Sequence, residues 1–164
     1  MTRKEYLKFT EGIFKATRGL IRITPDSKLD YKPREDLMTV AQVLKHIASG
    51  LGASLSMALN NSWPQMPEGE MLPSADKLPK SASVAEALDE IDKDWELLKV
   101  EMEKITDGEF EQNKIDVPWM PFPMTLEEFM MQAMEHVSNH RMQLFIWLKL
   151  SGEAVHTGHL YGME

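Results

Sequence analysis

The sequence feature that most constrains the fold is a helix-capping pattern that occurs four times. A Ser or Thr is followed three residues later by Glu or Gln: Thr2/Glu5, Thr39/Gln42, Ser83/Glu86 and Thr125/Glu128. In such a pair the hydroxyl accepts from an N–H of the first helical turn, and the Glu or Gln reaches back to the capping residue. Each pair opens a long segment whose apolar residues recur every three or four positions, the period of an α-helix. The pattern therefore predicts four long helices.

The predicted helices begin at these caps and end where proline or glycine interrupts the periodicity. Their expected bounds are approximately residues 3–23, 40–60, 84–106 and 126–150. No interval predicts a confident β-strand, and no repeat or low-complexity segment suggests a domain boundary. We therefore predict an all-α protein in which residues 1–164 form a single four-helix bundle domain.

Two long connections join these helices. Residues 62–82 contain four prolines and form a non-helical connection of 21 residues. Such a segment can span up to ~70 Å, whereas a helix of 20 residues is only ~30 Å long. We therefore predict a crossover that returns the third helix parallel to the second. Residues 107–124 are rich in proline and aromatic side chains, so we expect them to pack over one end of the bundle or against a partner.

Charge and composition exclude several classes of function. The net charge of -8 and the isoelectric point near 5.2 argue against binding to a nucleic-acid backbone. No apolar run approaches the ~18 residues that a membrane span needs, and charges interrupt every apolar run of the N-terminus, unlike a signal peptide. The absence of cysteine excludes thiolate metal sites and cysteine nucleophiles. We expect a cytoplasmic protein.

Three of the five histidines lie in predicted helices. His136 and His140 are four residues apart, so they lie one turn apart on one face, in register with the apolar stripe of the fourth helix. Burying two imidazoles costs free energy unless both are satisfied, which leaves two interpretations, a hydrogen-bonded core pair or two metal ligands. His46 lies in the second helix, and spacing alone does not select it as a third ligand. Three imidazoles would leave one position of a tetrahedral metal open, as catalytic zinc sites require.

Several motifs resemble, as a set, the DinB/YfiT-like superfamily of bacterial metal-binding four-helix bundles (the DNA-damage-inducible family, not the polymerase of that name). They comprise Tyr31-Lys32-Pro33, Met38-Thr39, His46, His136-x-x-x-His140-Arg141-x-Gln143 and the tail Gly158-His159-Leu160-Tyr161-Gly162. Lys32 stands where Arg is frequent in that family. The resemblance spans nearly the whole chain and implies a divalent metal, most often zinc or nickel, held by His46, His136 and His140 with water in open positions.

The resemblance suggests two kinds of function. Characterised members include thiol-dependent transferases and isomerases, so the first hypothesis is a metal-dependent enzyme such as a low-molecular-weight-thiol S-transferase, or a related hydrolase. No acidic residue lies between His136 and His140, which distinguishes this pattern from the HExxH of zincins. The second hypothesis is a non-catalytic, stress-related binding or scaffold protein with a structural metal. The residues themselves leave the metal identity open, and no catalytic residue is assigned.

Other polar residues admit two interpretations each. Gln42, Gln132 and Gln143 lie three or four residues from a histidine and would either orient the imidazoles or serve as polar bundle residues. Arg141 would pair either with a substrate carboxylate or, the interpretation we favour, with an acidic residue in a salt bridge within the bundle. We expect Glu135 to be solvated or at an interface, and His156 and His159 to be exposed or to cap a helix.

The chain is rich in methionine, and much of it lies near the fourth helix. Of its 13 methionines, six are Met120, Met124, Met130, Met131, Met134 and Met142. Together with Trp119 and Phe122 they exceed what four helices need to bury. Large exposed apolar patches mark interfaces, so we predict a homodimer; the competing interpretation folds these side chains over the end of a monomer.

Overall fold

Helices occupy the four predicted segments of the chain in the computed structural model, which describes residues 1–65 and 74–163. The helices are α1 Arg3–Arg22, α2 Val40–Ile47, α3 Gly52–Asn60, α4 Val84–Glu103, α5 Asp107–Gln112, α6 Leu126–Leu150 and α7 Thr157–Leu160. Two short strands, β1 Lys114–Ile115 and β2 Met124–Thr125, pair antiparallel. The fold is therefore all-α, as predicted, with one small hairpin that the sequence did not indicate.

The predicted caps open the four long segments. Thr2, Thr39 and Thr125 form complete capping boxes at the starts of α1, α2 and α6. At α4 the Ser83 side chain accepts from the Glu86 N–H, while the Glu86 carboxylate accepts from the N–H of Ala82. The capping pattern thus located the beginning of each segment to the residue.

The same pattern opens a short helix that was not predicted. The third helix was expected to reach residue 106, but α4 ends at Glu103. Thr106 forms a complete capping box with Glu109 at the start of α5. Phe110 of α5 is fully buried, and its ring meets Tyr6 edge to face at 5.4 Å. The connection of residues 107–124 therefore packs over the end of the bundle, one of its two expected positions.

The second predicted helix is divided in two. Residues 48–51 separate α2 from α3, so the prediction of one helix over residues 40–60 was wrong. The buried carboxylate of Asp94 in α4 accepts from the N–H groups of Leu51, Gly52 and Ala53 at 2.8–2.9 Å. These are donors that a new helix start leaves unsatisfied, so α4 caps α3 from the side.

Contacts along the helices define their directions. Lys45 pairs with Glu90, and Leu51 further along the chain bonds to Asp94, so α2 and α3 run parallel to α4. The predicted parallel crossover is therefore confirmed, although its residues 66–73 lie outside the described part of the chain.

The first and last long helices are also parallel. The Tyr6 hydroxyl donates to the carbonyl oxygen of Met130 at 2.9 Å, and the Arg141 guanidinium, later in α6, approaches the Ile13 carbonyl. Helix α1 contacts α4 and α6, and the α2–α3 segment contacts the same two helices. The bundle therefore has two parallel pairs, and α1 lies diagonally across from α2–α3. In the described residues, no helix is both long and apolar enough to cross a membrane.

Candidate metal centre

The three candidate histidines converge on the surface between α2 and α6. His46 lies in the last turn of α2, and His136 and His140 lie in the middle of α6. One ring nitrogen from each lies within 4.8 Å of the others. The Nε2 atoms of His46 and His136 are 2.8 Å apart, and the three ring centroids are separated by 4.5–4.7 Å. The structure thus brings together all three histidines that the sequence and the resemblance had selected.

A close approach of backbone to helix α6 makes this convergence possible. The turn after α2 passes α6 at Gly50, and a Cβ atom there would overlap the Cγ2 atom of Val137. Val137 directly follows His136 in the sequence. Because Gly50 has no side chain, the end of α2 that carries His46 can lie against the turn of α6 that carries His136.

Burial and the neighbouring imidazoles lower the pKa of two of the three histidines, His46 and His136. Burial, with smaller contributions from His140 and His136, lowers the pKa of His46 to about 4. The pKa of His136 is also lowered by burial and by His140. Metal binding requires unprotonated imidazole. Two of the three rings are therefore prepared for a cation at neutral pH.

Gln143 fixes the orientation of His140. The Gln143 Oε1 atom lies 2.6 Å from the His140 Nδ1 atom. An amide oxygen only accepts hydrogen bonds, so the His140 proton resides on Nδ1 and the lone pair on Nε2. This is the support that metal-binding histidines usually receive. Gln42, by contrast, caps α2 and donates to the Leu78 carbonyl, and Gln132 is exposed.

The nitrogen geometry fits a small divalent cation. Zinc–imidazole bonds of 2.0–2.1 Å in a tetrahedron place ligand nitrogens about 3.3 Å apart. In the cluster, the Nε2 atoms of His46 and His136 are 2.8 Å apart, and one nitrogen of each ring lies within 4.8 Å of the others. His136 is exposed while His46 and His140 are half-buried. Within the described residues the cluster contains no carboxylate, so a bound cation would meet three imidazole nitrogens and open solvent.

The remaining candidates take structural positions. The expected salt bridge of Arg141 was wrong: within the described chain its contact is a 3.5 Å approach to the Ile13 carbonyl, its Nε has no partner, and burial lowers its pKa. Glu135 is exposed, as expected. His156 caps α7, because its Nδ1 accepts from the Gly158 N–H at 3.1 Å.

The fold and the cluster together define a class of helical bundles in which three histidines, one from α2 and two from α6, could hold a metal ion. The sequence model of the DinB superfamily matches residues 9–144. The chain therefore belongs to the DinB superfamily, as its motifs had indicated.

Solved structures show the same fold. A DinB-like protein from Bacillus cereus ATCC 10987 superposes with a TM-score of 0.71 at 21% identity, covering 94% of this chain and 96% of that one. A DinB-like protein from Bacillus subtilis gives 0.66 at 16% identity, covering 92% and 94%. A DinB-family structure from Exiguobacterium sibiricum 255-15 gives 0.64 at 19% identity, covering 97% and 98%. No curated protein sequence matches this chain.

Proposed function

We propose that the protein binds one divalent metal ion, zinc or nickel, through His46, His136 and His140, and that it is a metal-dependent enzyme that transfers a low-molecular-weight thiol to an electrophile. The observation that carries the proposal is the convergence of three imidazoles, one of them exposed, within 4.8 Å. A bound divalent metal would lower the pKa of a thiol or water in an open position and so supply a nucleophile near neutral pH.

The residues around the cluster have separate roles in this proposal. His46 and His136 present neutral nitrogens because their pKa values are lowered. His140 presents Nε2 because Gln143 holds its Nδ1 proton. The exposure of His136 gives substrates access from solvent, whereas a purely structural metal would favour a sealed cluster.

The composition of the cluster favours transfer over hydrolysis. Hydrolytic metal sites usually place a carboxylate beside the metal as a general base. In the described chain the cluster has no carboxylate, and Glu135, which neighbours His136, is exposed. Adjacent helical residues point about 100° apart, so Glu135 is directed away from the cluster. A thiol brought by the cosubstrate needs only the metal for its activation.

Metal analysis of purified variants tests the site. Wild-type protein should contain about one divalent metal per chain, and His136→Ala should lose it while retaining its far-UV circular dichroism. His156→Ala is the matched control, because this histidine lies outside the cluster and caps α7. Undiminished metal content in His46→Ala, His136→Ala and His140→Ala alike would refute the assignment.

A thiol assay tests the activity separately. Metal-loaded protein should accelerate the reaction of at least one low-molecular-weight thiol with a chromogenic electrophile, and His136→Ala should not. Stoichiometric metal binding without acceleration for any thiol would leave the metal site intact and favour the non-catalytic scaffold.

We also propose that the protein is a homodimer. Met142, Ile146 and Leu150 recur at four-residue spacing on the exposed side of α6, and Phe122 is 77% exposed. A two-fold pairing would cover this apolar surface. Light scattering should therefore give about twice the chain mass of 18.8 kDa, and a monomer mass that persists at high concentration would contradict the proposal.

A further inference from the structure

Arg141 is a half-buried cation without an acidic partner. It lies in α6 directly after His140. Within the described chain no hydrogen bond or ion pair joins it to a carboxylate. Adjacent helical residues point about 100° apart, and the contact of Arg141 is with α1, whereas His140 faces α2. The proposed metal chemistry therefore gives this charge no role.

The contact that the Arg141 guanidinium makes with α1 is weak. Its Nη1 atom lies 3.5 Å from the Ile13 carbonyl oxygen, which is longer than a normal hydrogen bond. The same oxygen already accepts from the Thr17 hydroxyl at 2.7 Å and, as a helical carbonyl, from the Thr17 N–H. A carbonyl oxygen has two lone pairs, so it has little capacity left for Arg141.

Two other arginines show the contact that Arg141 lacks. The Nε and Nη2 atoms of Arg18 donate to the two carboxylate oxygens of Asp92 at 2.7 and 2.9 Å. Arg34 binds Asp36 through the same two nitrogens. The Nε atom of Arg141 is buried and has no partner among the described residues. The edge of the guanidinium that holds an aspartate in Arg18 and Arg34 therefore lacks a carboxylate in Arg141.

Burial makes this unpaired charge costly. Burial lowers the pKa of Arg141, and the group that acts in the opposite direction is Tyr161 of the C-terminal segment. Tyr161 carries a phenol and supplies no carboxylate. Well-packed apolar side chains often replace buried charges without loss of stability, so folding alone does not require a guanidinium here. An anionic ligand that pairs with Arg141 would account for it.

A ligand can reach Arg141 beside the C-terminal segment. A half-buried arginine keeps the charged end of its side chain toward water, and the neighbouring Tyr161 is 60% exposed. A Cβ atom on Gly162 would lie 3.0 Å from the Cα atom of Ala16, so the segment that carries Tyr161 rests directly on α1. The accessible end of Arg141 therefore lies at the surface where α1, α6 and this segment meet.

From these observations we infer that Arg141 binds the oxyanion group, a carboxylate or a phosphate, of a small ligand at this surface. Guanidinium pairs with both anions through two parallel hydrogen bonds, so the two sources share one chemistry. The inference does not depend on the proposed metal chemistry.

Calorimetry of arginine variants tests the inference. Purified protein, freed of metal and then of chelator, is titrated with inorganic phosphate and separately with acetate at constant ionic strength. Wild-type protein should bind one of these anions saturably, with a Kd of about 1 mM or lower. Arg141→Met should weaken binding at least about tenfold, because it removes the charge while keeping an unbranched side chain. Arg141→Gln removes the same charge but stays polar, so it covers a methionine variant that fails to fold, and it should weaken binding equally.

Two controls separate Arg141 from other sources of anion binding. Arg18→Met removes an arginine that already pairs with Asp92, so it should bind as the wild type does. His136→Ala should also bind as the wild type does, because the anion does not contact the histidine cluster. Tighter binding of phosphate assigns a phosphorylated ligand, and tighter binding of acetate assigns a carboxylate. The inference is overturned if neither anion binds saturably, if Arg141→Gln binds as well as wild type, or if either control loses binding.

Discussion

Replacing Gly52 with alanine should destabilise the protein although alanine is the better helix former. Gly52 is the first residue of α3, where the chain crosses α4. A Cβ atom there would overlap the Asp94 carbonyl oxygen and lie 2.8 Å from the Leu98 backbone nitrogen. Both obstacles are backbone atoms inside a helix, so no side chain can rotate away to make room.

The magnitude follows from the displacement that the methyl group requires. Ordinary contacts begin at 3.4 Å, so the Leu98 nitrogen alone would require α3 and α4 to separate by about 0.6 Å, and the nearer Asp94 carbonyl oxygen requires a larger separation. Overpacking of this kind costs about 1–3 kcal/mol. The separation also stretches the hydrogen bonds of the Asp94 cap, and a lost cap costs about 1 kcal/mol. Gly52→Ala should therefore lower the free energy of unfolding by about 2–4 kcal/mol, which corresponds to a fall in Tm of roughly 10 °C for a chain of this length.

Urea denaturation followed by far-UV circular dichroism, in the presence of a chelator, measures this effect without a contribution from bound metal. Gly12→Ala is the matched control, because Gly12 is exposed within α1 and a Cβ atom there meets nothing within 4 Å. It should raise the free energy of unfolding by up to about 1 kcal/mol. A Gly52→Ala protein as stable as wild type, or an equal loss in Gly12→Ala, would refute the argument from close backbone contact.

Four further predictions concern the helix break and the metal centre. Gly50→Ala places a methyl group against the Val137 side chain, which can yield, so stability should fall by about 1 kcal/mol while zinc affinity measured by calorimetry falls about tenfold. Asp94→Ala should cost about 2–4 kcal/mol in urea denaturation, because three N–H groups lose a charged acceptor. Removing metal with a chelator should lower the Tm of the wild-type protein, by the equivalent of about 2.7 kcal/mol if the metal had been present at 100 times its Kd. The Tm of His136→Ala should not change. Because the pKa values of His46 and His136 are lowered, protons compete weakly for these two nitrogens. Zinc affinity should therefore fall less between pH 8 and pH 6 than it would at a site whose histidines all had the ordinary pKa near 6.5.

The sequence predicted the four helical segments because capping and periodicity are local properties. Thr2, Thr39 and Thr125 make the side-chain bonds that their spacing predicts. The sequence did not predict the break between α2 and α3, because the apolar residues continue across it at helical spacing. These residues are Leu44, Ile47, Leu51 and Leu55. The group that caps α3 is Asp94, more than 40 residues away in the sequence, and no local pattern contains it.

Prediction of the candidate site had a similar limit. The spacing of His136 and His140 marked them as neighbours on one helix face, but His46 lies 90 residues away from His136, and only the family resemblance selected it. Gln143 was one of three glutamines at a suitable spacing from a histidine, and the structure distinguishes it because its side chain bonds to His140. The sequence gives no signal for Gly50, because a close approach between two helices does not alter the apolar periodicity of either one.

The helix break and the histidine cluster are two consequences of one change of direction. Helix α2 packs mainly against α6, whereas α3 packs mainly against α4. The chain therefore changes its main packing partner from α6 to α4 at residues 48–51. His46 lies just before this transfer, where the chain is held against α6, and the Asp94 cap fixes the residue at which α3 begins. A substitution that moves this starting point must also move the end of α2. Asp94→Ala and Gly52→Ala should therefore weaken zinc binding although neither residue offers a ligand atom to the cluster. Gly12→Ala, which changes stability without touching the break, should leave zinc affinity unchanged, and equal affinity in all three variants would show that the two features are independent.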